Sequence, residues 1–88
     1  MKVYPNPARS YAYVSIPVEL KKGGNLTIRN NTGEIIEERI FSENDAHVIP
    51  LDLSGHPNGL YNVALADGKS EVSADLLNLV ASDNSALV

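Results

Sequence analysis

Ile49-Pro50-Leu51-Asp52-Leu53-Ser54-Gly55-His56-Pro57-Asn58-Gly59-Leu60-Tyr61-Asn62-Val63-Ala64-Leu65 carries two alternating apolar sets on either side of a turn-rich segment. Ile49, Leu51 and Leu53 alternate with Pro50 and Asp52, and Tyr61, Val63 and Leu65 alternate with Asn62 and Ala64. A period of two puts each apolar set on one face of a sheet. Between them, Gly55-His56-Pro57-Asn58-Gly59 is rich in turn formers: proline fixes φ, asparagine tolerates left-handed geometry, and glycine takes positive φ without a Cβ clash. The stretch therefore predicts a strand, a tight corner and a strand, with Leu51 and Tyr61 in one core and no helix.

The same pattern extends in both directions. Val3-Tyr4-Pro5-Asn6-Pro7 opens the domain as an edge or a lead-in to a strand, since its prolines lack donors and hold the residues before them extended. Tyr11 to Val18 reads as a strand with Ala12, Val14, Ile16 and Val18 inward, and Pro17 predicts an edge position or a bulge near its end. Lys21-Lys22-Gly23-Gly24 reads as a turn, Asn25 to Arg29 as a short strand with Leu26 and Ile28 inward, and Asn30-Asn31-Thr32-Gly33 as the hairpin turn after it.

Glu34 to Phe41 carries apolar residues on both faces, which calls for a bulge or a two-sided contact; its short length and β-branched content argue against a helix. A polar loop, Ser42 to Asp45, precedes the opening stretch. Ala66-Asp67-Gly68-Lys69 carries an Asp-Gly hairpin signal. Val72, Ala74 and Leu76 mark the last strand, which Leu76 to Val80 either extends or converts to helix. About seven short strands with turn residues in every gap predict an all-β chain, a compact antiparallel immunoglobulin-like β-sandwich. The expected limits are residues 1–80 for the sandwich and 81–88 for a frayed tail.

At 88 residues there is room for one domain, and it buries only about 60 to 65 per cent of its unfolded surface. With 43% hydrophobic and 20% charged residues the chain is too apolar for intrinsic disorder. It has no cysteine, so packing and the backbone ladder must supply all of its stability. A net charge of −4 argues against nucleic-acid binding, which needs a basic stripe. No apolar run approaches the roughly 18 residues of a membrane span, so no membrane insertion by a helix is expected. The first residues lack the apolar core of a signal peptide. Met1 is expected to begin an excised piece of a longer protein, with any targeting signal far upstream.

No catalytic site, metal site or cofactor is expected. His47 and His56 lack a third ligand at a fixed spacing and read as structural or solvated. Glu37, Glu38, Glu43 and Asp45 have no cleft in which carboxylates would face each other across a sugar ring. Glu43-Asn44-Asp45 lacks the spacing of a calcium loop, and no nucleophile elbow, P-loop or dinucleotide fingerprint is present. Tyr11 and Tyr13 project from one face of a strand about 7 Å apart, a spacing suited to stacking on sugar units. A carbohydrate-binding or adhesive accessory module of a larger secreted protein is thus the alternative reading, set against the commoner role of such tyrosines as cross-strand partners.

From Val3 to Val80 the chain resembles the type A C-terminal sorting domain of the type IX secretion (Por) system of Bacteroidota. The resemblance rests on Val3-Tyr4-Pro5-Asn6-Pro7-Ala8, on Leu26-Thr27-Ile28 with Thr32-Gly33-Glu34-Ile35, and on Leu51-Asp52-Leu53-Ser54 leading to Pro57-Asn58-Gly59-Leu60-Tyr61. It implies a non-enzymatic domain at the end of an upstream cargo protein. The type IX translocon would recognise it in the periplasm, the cargo would cross the outer membrane, and a sortase would attach it to the cell surface or it would be released outside. Members of the family commonly finish on a basic last strand, whereas Val72 to Val80 has no lysine or arginine.

Pro5, Asn6, Pro7, Gly33, Asp52, Gly59 and Tyr61 are the sorting-motif residues on this reading. Each also has a structural reading: the prolines guard an edge, the glycines permit turns, and Tyr61 fills the core. Asn6 is the best candidate for a direct contact.

Overall fold

A computed structural model describes residues 1–44 and 47–79. Seven strands follow one another in the order β1 (Lys2–Tyr4), β2 (Tyr11–Ser15), β3 (Gly23–Arg29), β4 (Ile35–Ser42), β5 (Val48–Asp52), β6 (Gly59–Ala66) and β7 (Glu71–Asn78). A single 3-10 turn, Val18–Leu20, is the only helical element among the described residues. The strands form two antiparallel sheets, ordered β1-β2-β5 and β4-β3-β6-β7. The expected all-β sandwich is therefore the observed architecture.

Its core is made by the alternation read from the sequence. Ala12, Val14, Ile49 and Leu51 come from the three-stranded sheet, and Leu26, Ile28, Phe41, Tyr61, Val63, Leu65 and Leu76 from the four-stranded one. Ala8, Leu20 and Leu53, from the connections, complete it. The corner between β5 and β6 carries the chain from one sheet to the other, so Leu51 and Tyr61 meet across the core rather than along one ladder. In the lettering of immunoglobulin domains the sheets are A-B-E and C′-C-F-G. Tyr61 stands near the start of the sixth strand and donates its hydroxyl to the Pro57 carbonyl, the tyrosine corner of such sandwiches.

Several local expectations are corrected. β2 stops at Ser15 and lies in the centre of its sheet, so Pro17 marks no edge; it precedes the 3-10 turn and interrupts no ladder. Val18 leaves the core face and is 72% exposed, while Leu20 takes the buried position. Gly23 and Gly24 belong to β3 rather than to the turn before it. At Gly24 a Cβ would stand 2.2 Å from the Ala66 carbonyl oxygen, a close backbone approach that only glycine allows.

The two-sided pattern of β4 is resolved by a bulge. The register steps from Ile28↔Glu37 to Arg29↔Ile35, leaving Ile36 unpaired and packed partly against the core. Beyond the bulge Glu37 and Arg39 share the inner side with Ile28 and Leu26. They form an ion pair of 2.6 Å at the rim, and Arg39 donates to the Pro50 carbonyl of β5 at 3.1 Å, tying the two sheets together. Charges pointing inward on an edge strand also discourage pairing with other chains. Leu76 to Asn78 continue β7 as strand, which removes the helical alternative there. Val80, the expected 81–88 tail and Asp45 lie outside the described residues.

Candidate functional site

The corner between β5 and β6 is held by side chains on both sides of it. Asp52 ends β5 and accepts the Ser54 N–H at 2.9 Å, an Asx turn that starts the corner. The Ser54 hydroxyl, the same N–H and nearby His56 hold the Asp52 carboxyl below its ordinary value. The His56 N–H donates to Leu53 O at 3.0 Å and closes the bend. Gly59 then enters β6 at φ 154°, and Tyr61 is buried, so burial raises its phenol above the usual range.

Pro5, Asn6 and Pro7 leave β1 and cross to the free edge of β7; the Tyr4-Pro5 and Asn6-Pro7 bonds are both cis. There the Asn6 side chain takes the place of a strand neighbour. Its Nδ2 donates to Asp75 O at 3.0 Å, and its Oδ1 accepts the Leu77 N–H at 3.0 Å. Ala8 continues the lacing through Ala8 N–H to Leu77 O at 2.8 Å and Leu79 N–H to Ala8 O at 2.9 Å. Ser10, at φ 75°, bridges the sheets: its N–H donates to Asn78 Oδ1 of β7, and its carbonyl accepts the Leu53 N–H beyond β5.

In the hairpin between β3 and β4, Asn30 Oδ1 accepts from the Thr32 N–H, the Thr32 hydroxyl and the Glu34 N–H, and Gly33 turns the chain at φ 87°. Topology places this hairpin beside the start of β6, because Arg29 pairs with Asn62. Gly59 pairs with Asn78, which in turn bridges to Ala8, and Tyr11 pairs with Asp52. All seven sequence-predicted motif residues thus gather at one pole of the sandwich. The opposite pole carries the 3-10 turn, the start of β3 and the Asp67-Gly68 hairpin.

A family model described as "Secretion system C-terminal sorting domain" matches residues 2–77. The chain belongs to this family of type IX sorting domains. No match is found among curated proteins or among solved structures.

In this sorting domain the segments that carry the resemblance are far apart in sequence; residues 5–8, 32–35 and 52–61 share one end of the fold, while Leu26, Thr27 and Ile28 run along β3 away from it. The family is one of sorting signals rather than of enzymes. Among the described residues no group of three His, Asp or Glu side chains is placed to hold a metal ion. A depression at the opposite pole, about 340 Å³, is open and lined by Ile16, Val18, Lys21, Lys22 and His47 among others.

Tyr11 and Tyr13 do share the outer face of the three-stranded sheet, where they are 58% and 45% exposed. Sequence reasoning missed Ser10 and Asn78, the two residues that lock the pole. Asn78 is fully buried, and its Nδ2 has no partner among the described residues. The only signal was its even spacing from Val72, Ala74 and Leu76, which put an amide on the core face.

Proposed function

We propose that this sorting domain is a secretion address read as a folded object, and that the reader docks on the pole formed by Pro5–Ser10, Asn30–Glu34 and Asp52–Tyr61. The observation that carries the reading is the family match over residues 2–77, joined to the gathering of its signature segments at one end of the sandwich. A signal made of segments so distant in sequence exists only in the folded state. Asn6, Gly33, Gly59 and Tyr61 serve by holding that shape, since the Asn6 amide is spent on β7, the glycines on turns and the Tyr61 hydroxyl on Pro57. Exposed neighbours such as Arg9 and Asn31 are the surface available to a reader.

On this reading an upstream cargo reaches the periplasm, the domain is engaged by the type IX translocon, and the cargo crosses the outer membrane for attachment by a sortase or release. Transplantation tests it. Residues 1–88, fused to the C-terminus of a periplasm-directed reporter in a bacterium with an active type IX system, should place the reporter outside the cell. Retention in the periplasm with the domain folded would overturn the proposal. Arg9→Glu at the motif pole should lower export several-fold, and Lys69→Glu at the opposite pole should leave it unchanged. Equal effects would reject the pole as the surface read.

A further inference from the structure

The geometry points to a further recognition surface that adjoins the motif pole and shares Asp52 with it, an aromatic platform on the outer face of the three-stranded sheet that binds a neutral oligosaccharide. Tyr4 of β1, Tyr13 of β2 and Pro50 of β5 stand opposite one another in a single transverse row. Tyr11 lies one step along β2 on the same face, about 7 Å from Tyr13. Among the described residues these tyrosines stay partly exposed: Tyr4 is 38% exposed, Tyr13 45% and Tyr11 58%.

Tyr4 and Tyr13 account for each other, with ring centroids 5.8 Å apart and planes tilted by 34°. That is the sheet-stabilising cross-strand pair. Tyr11 has no such excuse. β1 ends opposite Tyr13, and the cross-strand partner of Tyr11 is Asp52. Among the described residues Tyr11 has no ring partner, and a ring beside an exposed carboxylate suits a pyranose: the ring takes the apolar C–H face, and the carboxylate accepts hydroxyl protons. The Asp52 carboxylate already accepts the Ser54 N–H and the Ser54 hydroxyl, but a carboxylate has about four acceptor sites, so part of its capacity remains. The phenol hydroxyls add donors at the rim.

Size and charge choose between occupants. The exposed parts of the three tyrosines amount to about 300 Å², a small apolar strip beside the core of a stable protein interface, which buries roughly 800 Å² per partner in all. A short saccharide chain is matched to such a strip. Asp52 and the overall charge of −4 disfavour an acidic glycan.

The test is a titration of the isotopically labelled 88-residue chain, followed by amide NMR, with cellohexaose, maltohexaose and chitohexaose, and separately with a proline decamer. At least one oligosaccharide should shift the amides of Tyr4, Tyr11, Tyr13, Leu51 and Asp52 at concentrations of up to about 10 mM. Tyr11→Ala should weaken that binding by about tenfold, while Tyr11→Phe stays within about twofold because stacking uses the ring face. Tyr11 is exposed, so both variants keep the fold, and their unchanged core amides would show it. No shift with any of the three sugars, unchanged affinity in Tyr11→Ala, or shifts with the proline decamer alone would overturn the proposal, the last marking a peptide-docking face instead.

Discussion

Two glycines show how differently the same residue type is required. At Gly24 the obstacle is the Ala66 carbonyl oxygen, 2.2 Å from where a Cβ would stand, and backbone cannot swing aside. Gly33 faces open space and is held only by its φ of 87°. Gly24→Ala should therefore cost more than about 3 kcal/mol, and Gly33→Ala about 1–2 kcal/mol; denaturant titrations of the two variants would check the order. The sequence marked both as turn residues, and for Gly24 that was a misreading, because the close approach comes from β6, some forty positions further along.

Tyr61 was legible as a core residue from alternation alone. Its hydroxyl partner was not, since that depends on how the corner folds back. Its phenol is raised above the usual range by burial, while in the unfolded chain it ionises near 10. The stability it lends is whole below about pH 10 and is lost as pH climbs through the folded value. Tyr61→Phe should be less stable by about 1 kcal/mol at neutral pH, with a shallower decline in melting temperature on the alkaline side.

At the scale of elements, β7 depends on a segment that is not a strand. Its neighbour on one side is β6, and on the other Asn6 and Ala8 satisfy Asp75, Leu77 and Leu79. Asn6→Ala removes two of those hydrogen bonds and should cost about 1–2 kcal/mol. Hydrogen exchange at Leu77 should accelerate, while amides in β3 keep their protection; a uniform loss across all strands would mean that the segment braces the whole domain rather than one edge.

The strands themselves were legible, because β-branched runs and turn residues mark them locally. Their neighbours were not. Nothing in Tyr11–Val18 says that its strand is central, or that Pro17 falls just beyond the ladder, because pairing is decided by parts of the chain far away. The role of Asn6 was hidden for the same reason: its partners lie some seventy residues on.

For the molecule as a whole, the fold class and the family were readable because each rests on patterns spread over most of the chain. The motif residues were readable only one by one; that they gather at one pole follows from the crossing of the chain between sheets. Acid should destabilise the domain at both poles. Ser54 holds the Asp52 carboxyl below its ordinary value, and the Lys69 and Ser70 N–H groups do the same for Asp67. The stability these groups lend is present above about pH 4 and is lost as pH falls through their folded values. The melting temperature should drop as pH falls below about 4, and Asp67→Asn should flatten part of that fall.

The lacing of Pro5–Ser10 onto β7 also sets an order in time. A chain is made from its amino end, so Asn6 and Ser10 emerge from the ribosome early and wait until Asp75 to Asn78 are synthesised before their partners exist. A polypeptide that stops short of β7 cannot close its motif pole. On the proposed reading of that pole as an address, a chain that stops before β7 carries an incomplete label.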